Sequence, residues 1–159
     1  MKLSLLLESK KLRVFDFDDT LVHTSSDKKP QGFDGDRPLF PQFDTVVGPK
    51  KIPQIFKVLK NVLNKGSSGR KTVVLTARSK GNPVKGYLKQ VGANVQVIPM
   101  PLSSQPAKFK KRWIEKQIED GYDDIEVFDD NASNIQAFNA LKNKYPDVKI
   151  IVRKVNYKA

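Results

Sequence analysis

Short β-type runs alternate with helical patterns along the chain, and that alternation restricts the fold more than any other feature. LRVFDF (12–17), TVVLTA (72–77), NVQVIPM (94–100), DIEVFD (124–129) and VKIIVR (148–153) are apolar or β-branched stretches of strand length. Between them, apolar residues recur at helical spacing. Ile52, Ile55, Phe56, Leu59 and Leu63 predict a helix over 52–64, and Val84, Tyr87, Leu88 and Val91 a second that Gly92 would end. Phe109, Trp113 and Ile118 are expected to face inward on a third, from Pro106 to about Asp120, and a fourth spans 132–144. Strands separated by helices cannot pair as hairpins. Right-handed crossovers give a parallel sheet covered on both faces, so the expected fold class is α/β: a three-layer α/β/α, Rossmann-like sandwich.

The 159 residues suit a single domain with a real core, taken as 1–159. Residues 21–50 interrupt the alternation with Pro, Gly, Asp and Ser and read as a loop or small flap. The sequence has no cysteine and one histidine, which excludes disulfides, thiol catalysis and multi-histidine metal sites. The leading MKLSLLLESKK is a poor signal peptide and far too short to span a bilayer, so no membrane partner and a cytoplasmic location are expected. Lys and Arg number 29 against 17 Asp and Glu, a formal charge of +12, which favours polyanionic partners such as nucleic acid or nucleotides.

Acidic residues nevertheless crowd two strand ends. VFDFDDTLV carries Asp16, Asp18 and Asp19, and VFDDN carries Asp129 and Asp130. Alone, DFDDT reads equally as a strand capped by turn-forming aspartates, and FDDNAS as a helix N-cap. In a parallel sheet, however, both clusters and Thr76 emerge at one edge, where ligands bind in open α/β sheets. Carboxylates brought together need a cation, and an oxygen-only donor set suits Mg2+.

DFDDT resembles the DxDx[TV] signature of the haloacid dehalogenase (HAD) superfamily of phosphotransferases. VVLTAR is similar to that family's second motif and VFDDN to its fourth, in the family's order and across residues 12–134. The resemblance implies an HAD-like fold and a phosphomonoester hydrolase working through an aspartyl-phosphate. Asp16 would be the nucleophile and Asp18 the general acid and base. Asp16, Asp129 and the backbone carbonyl of Asp18 would hold Mg2+, with Asp130 supporting the ion's water or the lysine. Thr76 would bind the phosphoryl group. A lysine of the third helix would neutralise it, with Lys110 preferred and Lys108 and Lys111 as alternatives. Arg78 is placed like the arginine of polynucleotide kinase-phosphatases and could touch phosphate or sit on a surface turn. Asn131 and Asn134 could line the site or cap a helix. Asp19 and Thr20 are read as structural, and His23 as structural or exposed.

Most small-molecule phosphatases of that family close a large cap domain over the site. Here 21–50 allows only a short flap, and 100–106 almost nothing. An open site and the charge favour a nucleic acid end, 3′ or 5′, as substrate. A nucleotidase or small-phosphoester phosphatase is the alternative, and a non-catalytic nucleic-acid-binding protein a second. GSSGRKT (66–72) resembles a kinase P-loop only loosely and precedes its strand, so no kinase is expected.

Overall fold

The computed structural model describes residues 9–23, 33–34, 37–38, 46 and 49–156. Its centre is a five-stranded, all-parallel sheet built from β1 (Lys11–Phe15), β6 (Arg70–Leu75), β7 (Gln96–Ile98), β8 (Asp124–Asp129) and β9 (Lys149–Lys154). Their spatial order is β7-β6-β1-β8-β9. The order reverses at β1, so the chain ends of β1 and β8 flank the crevice where α/β sheets take ligands.

Four helices cross between these strands: α1 (Pro53–Asn64), α2 (Asn82–Gln90), α3 (Pro106–Glu119) and α4 (Ala132–Lys144). The pleat sorts the core into two clusters. Phe15, Val74 and Phe128 meet Phe56 and Leu59 of α1 and Val84 and Leu88 of α2 on one face. Leu12, Val14, Val73, Leu75, Ile125 and Val127 meet Ile114 of α3 and Phe138 and Leu141 of α4 on the other. The expected three layers follow. Phe15 and Phe128, register partners on β1 and β8, stack with ring centroids 4.6 Å apart directly beneath the two acidic strand ends.

Several boundaries differ from the sequence expectation. β7 is three residues long rather than seven, because Pro99 has no N–H to continue the ladder. β1 and β6 stop at Phe15 and Leu75, so Asp16 and Thr76 lie just beyond their strands. On α3 the buried stripe is Lys110, Ile114 and Gln117, while Phe109, Trp113 and Ile118 are only half-buried beside the core. The apolar residues misled because the deepest face of this helix carries a lysine and a glutamine. Gly92 does follow α2, at φ +87°, a conformation glycine takes without cost.

Of the expected flap, β2 (Val22–His23) pairs antiparallel with β5 (Lys50–Lys51), and β3 (Phe33–Asp34) with β4 (Arg37–Pro38). The rest of 21–50, and residues 1–8 of the N-terminal apolar run, lie outside the described residues. After β7, residues 99–105 lead straight into α3 and carry no inserted domain. Among the described residues, no helix is long and apolar enough to cross a membrane.

Phe138 is 1% exposed and ties α4 to the sheet. Phe138→Ala is expected to lower unfolding stability by about 3–5 kcal/mol in urea denaturation, the range for truncating a buried aromatic.

Candidate functional site

β1 leaves the sheet through a tight turn. The Phe17 carbonyl accepts hydrogen bonds from the backbone N–H groups of Thr20 (3.3 Å), Leu21 (3.0 Å) and Val22 (3.3 Å). Asp19 sits in this turn at φ +59°, a left-handed conformation that aspartate tolerates better than most side chains. Its Oδ1 lies 2.7 Å from His23 Nδ1. The turn holds Asp16 and Asp18 at the sheet edge, while β8 delivers Asp129 and Asp130 beside them.

α3 delivers the lysine. Positions 110, 114 and 117 share the helix face turned to the sheet, and Lys110 is the one nearest the carboxyl ends of the strands. Its ammonium, 1% exposed, donates to Asp16 Oδ1 at 2.9 Å and to Asp129 Oδ2 at 2.8 Å. Asp129 is held on its other side too. Its Oδ1 accepts the Asn131 backbone N–H at 2.9 Å, and the Asn134 amide reaches both oxygens, at 3.2 and 3.1 Å. Asn131 in turn caps α4, its Oδ1 accepting the Asn134 backbone N–H at 3.1 Å. Buried Thr20 donates to Asp16 Oδ2 at 3.2 Å and lies 3.5 Å from Asp130 Oδ1.

Single oxygens of Asp16, Asp129 and Asp130 lie within 4.8 Å of one another, an arrangement that could hold a metal ion. The donor set is all oxygen, as hard divalent cations prefer. The charges fit as well: three carboxylates face one ammonium, leaving room for two positive charges. Burial lifts the Asp16 carboxyl from the ordinary 3.8 to about 7, with the Asp130 charge adding and Lys110 opposing. Burial, then the charge on Asp16, lifts Asp129 to about 6 against the pull of Lys110. Burial alone would lower the Lys110 pKa. Asp16 and Asp129 together outweigh it and hold the ammonium above the ordinary lysine value.

Asp18 stands apart from that cluster. Arg78, 3% exposed, grips its carboxylate with two bonds, Nε to Oδ2 at 2.9 Å and the second guanidinium nitrogen to Oδ1 at 2.8 Å. The guanidinium also lies over Phe17, 5.5 Å from the ring centre. Thr76 accepts the Arg78 backbone N–H on its Oγ1 at 3.1 Å. A cavity of about 310 Å³ opens over these groups, lined by Asp16, Asp18, Arg78, Lys110, Asp130 and Asn131 among others.

The structure thus brings Asp16, Asp18, Arg78, Lys110, Asp129, Asp130 and Asn131 to one edge. Thr76 lies beneath it, buried, while Ala77 and Arg78 form the wall. Lys108 is elsewhere, exposed on the outer side of α3, and Lys111 shares that side. Arg78 is a buried ion-pair partner rather than a surface turn residue. Asn131 and Asn134 both cap and reach the site region. Thr20, expected only to cap the turn, also bonds Asp16, four residues before it.

Because Asp16 and Asp129 take up protons on folding, the metal-free protein loses stability as pH rises from about 4 to about 7. Asp16→Asn removes the larger share. In EDTA the melting temperature of wild type is expected to fall more between pH 5 and pH 8 than that of Asp16→Asn, so that the gap between the two changes by at least ~3 °C. Thermal melts at both pH values check this; an equal gap at both contradicts it.

No family model matches the sequence, and a search of curated proteins finds no match. Solved structures do match in fold. One, described as "Structure of Pnkp1/Rnl/Hen1 complex", aligns with a TM-score of 0.65 at 16% identity, over 96% of this chain and 48% of that one. Another, "Structure of the Pnkp1/Rnl/Hen1 RNA repair complex", gives 0.65 at 14% identity over 92% of this chain and 43% of that one. The chain spans less than half the length of either. At such identities the likeness shows the fold alone.

Proposed function

We propose that the chain is a Mg2+-dependent phosphomonoesterase of the HAD type, acting on nucleic acid ends through an aspartyl-phosphate on Asp16. The observation that carries the reading is the buried Lys110 between Asp16 and Asp129, with Asp18 and Arg78 facing the same cavity. Phosphoryl transfer needs positioning and charge neutralisation above covalent assistance, and this is what such an edge supplies.

Asp16, Asp129, Asp130 and the Asp18 carbonyl would hold Mg2+, which would neutralise phosphoryl oxygens and align the phosphate with Asp16. The chain's own groups do the rest. An Asp16 oxygen attacks phosphorus, the ester P–O bond breaks, and the leaving oxygen takes a proton from Asp18, which enters the step as the carboxylic acid, protonated from solvent once phosphate has displaced it from Arg78. Water then attacks the aspartyl-phosphate, giving its proton to Asp18. The phosphate departs and the Asp16 carboxylate is restored. Lys110 and Thr20 keep Asp16 from rotating away from the line of attack. An incoming phosphate competes with Asp18 for Arg78, so binding would loosen the carboxylate that must exchange a proton. Thr76, placed under the wall, would act by fixing the Arg78 backbone.

The +12 charge, the absence of an inserted domain between β7 and α3, and structural neighbours described as an RNA repair complex favour polynucleotide ends. A nucleotidase would use the same chemistry. Phosphate release from 3′- and 5′-phosphorylated DNA and RNA, mononucleotides and an aryl phosphate separates the two. Turnover is expected to require Mg2+, to vanish in EDTA and to fall at least ~10³-fold in Asp16→Asn. Arg78→Ala should cost less, about 10- to 100-fold, through weaker phosphate binding. Wild-type turnover by Asp16→Asn would exclude the nucleophile assignment.

A further inference from the structure

The outer face of α3 carries charges that the site does not use. Lys108, Lys111, Arg112 and Lys116 line a shallow furrow of about 670 Å³ with Glu115 and Glu119. All six come from α3, at spacings of three and four that place them along one side of the helix. The stripe starts two residues beyond Pro106, which lines the cavity at Asp16. Pro106 and Lys108 are two positions apart and so lie on opposite sides of the helix; a strand on the outer face reaches the cavity around the first turn of α3.

The placement is poor for the helix itself. A helix N-terminus carries positive partial charge and is stabilised by Asp or Glu in its first turn. α3 has no acidic residue there, and its first acid is Glu115. Lys108, Lys110, Lys111 and Arg112 instead add positive charge to an already positive end. Burial of Lys110 against Asp16 and Asp129 explains that residue but not the other three. Glu115 feels the charge of Lys111 but is shared with other partners. Its carboxylate is engaged by Lys144 at 2.6 Å and by the Tyr145 hydroxyl at 2.6 Å. Among the described residues, none of the four outward cations makes an ion pair.

A line of cations fits a linear polyanion. From Lys108 to Lys116 the helix rises about 12 Å at 1.5 Å per residue. A strand stacked as in a duplex advances ~3.4 Å along its axis per nucleotide, so the stripe spans about three to four nucleotide steps. We propose that the outer face of α3 is a track for the phosphodiester backbone of a polynucleotide strand, leading its terminal phosphate into the cavity at Asp16. The orientation of the strand rests on the proposed phosphatase reading; the binding itself does not. The stripe holds phosphates and reads no bases, so DNA and RNA strands of equal length bind alike.

Fluorescence anisotropy with phosphorylated single-stranded DNA and RNA of two to ten nucleotides, in EDTA, measures binding without turnover. Arg112→Gln/Lys116→Gln changes two exposed cations remote from the cavity lining. It is expected to weaken a ten-nucleotide strand about tenfold or more at 0.1 M salt, and to flatten the slope of log K against log salt by about 1.4. The loss should reach full size by about four nucleotides. Hydrolysis of an aryl phosphate should be unchanged. Lys108→Gln/Lys111→Gln should reproduce the binding loss. Unchanged affinity and slope in both pairs would overturn the track. So would equally tight, equally variant-sensitive binding of poly-aspartate, which would make the stripe a surface for acidic proteins. If oligonucleotides bind through α3 but no phosphate is released, the phosphatase reading fails and the track stands. If phosphate is released and binding ignores α3, only the track fails.

Discussion

A single ammonium, buried between two carboxylates, organises the acidic edge. Lys110 joins Asp16, from the first strand, to Asp129, from the fourth strand along the chain of the parallel sheet. Without it two buried carboxylates would face each other across the switch point, and removing one partner from such a group costs several kcal/mol. The rest of the edge serves that contact. Asn134 and the Asn131 amide fix Asp129 from the α4 side, Thr20 fixes Asp16 from the turn after β1, and the Phe15–Phe128 stack supports both strand ends from below.

Lys110 does not settle the electrostatics. Counting Asp18 with the cluster, four carboxylates face Lys110 and Arg78, an excess of two negative charges at an edge proposed to receive a dianion. Burial keeps Asp16 and Asp129 reluctant to ionise. A divalent cation would relieve both difficulties at once, because it would favour the ionised carboxylates and cancel the excess negative charge before phosphate arrives. The net positive charge of the chain then acts at longer range, with the cations of α3 closest to the entrance.

Strand ends were legible because they depend on local pattern. Apolar runs stopping at Asp16, Thr76 and Asp129 place three groups at one edge once the sheet is parallel, and the five strands pair that way. What could not be read depends on which face a helix turns inward. Lys108, Lys110 and Lys111 look alike in a run of cations, and only the register of α3 separates the buried one from its outward-facing neighbours. The aromatic residues pointed to a slightly rotated helix, because a buried lysine leaves no hydrophobic signature. Arg78 carried a motif-level hint of phosphate contact, but its two bonds to Asp18 join groups sixty residues apart and leave no trace in spacing. Asp19 was read as structural, and its positive φ gives the reason.

Calorimetric titration of the metal-free protein with Mg2+, carried out near pH 6.5 in two buffers of different ionisation heat, asks whether the acidic edge holds a divalent cation. The account predicts one ion bound per chain, with protons released because ionised Asp16 and Asp129 take the ion, and loss of binding in Asp129→Asn. Saturable binding that survives Asp129→Asn, or no binding at millimolar Mg2+, would contradict it.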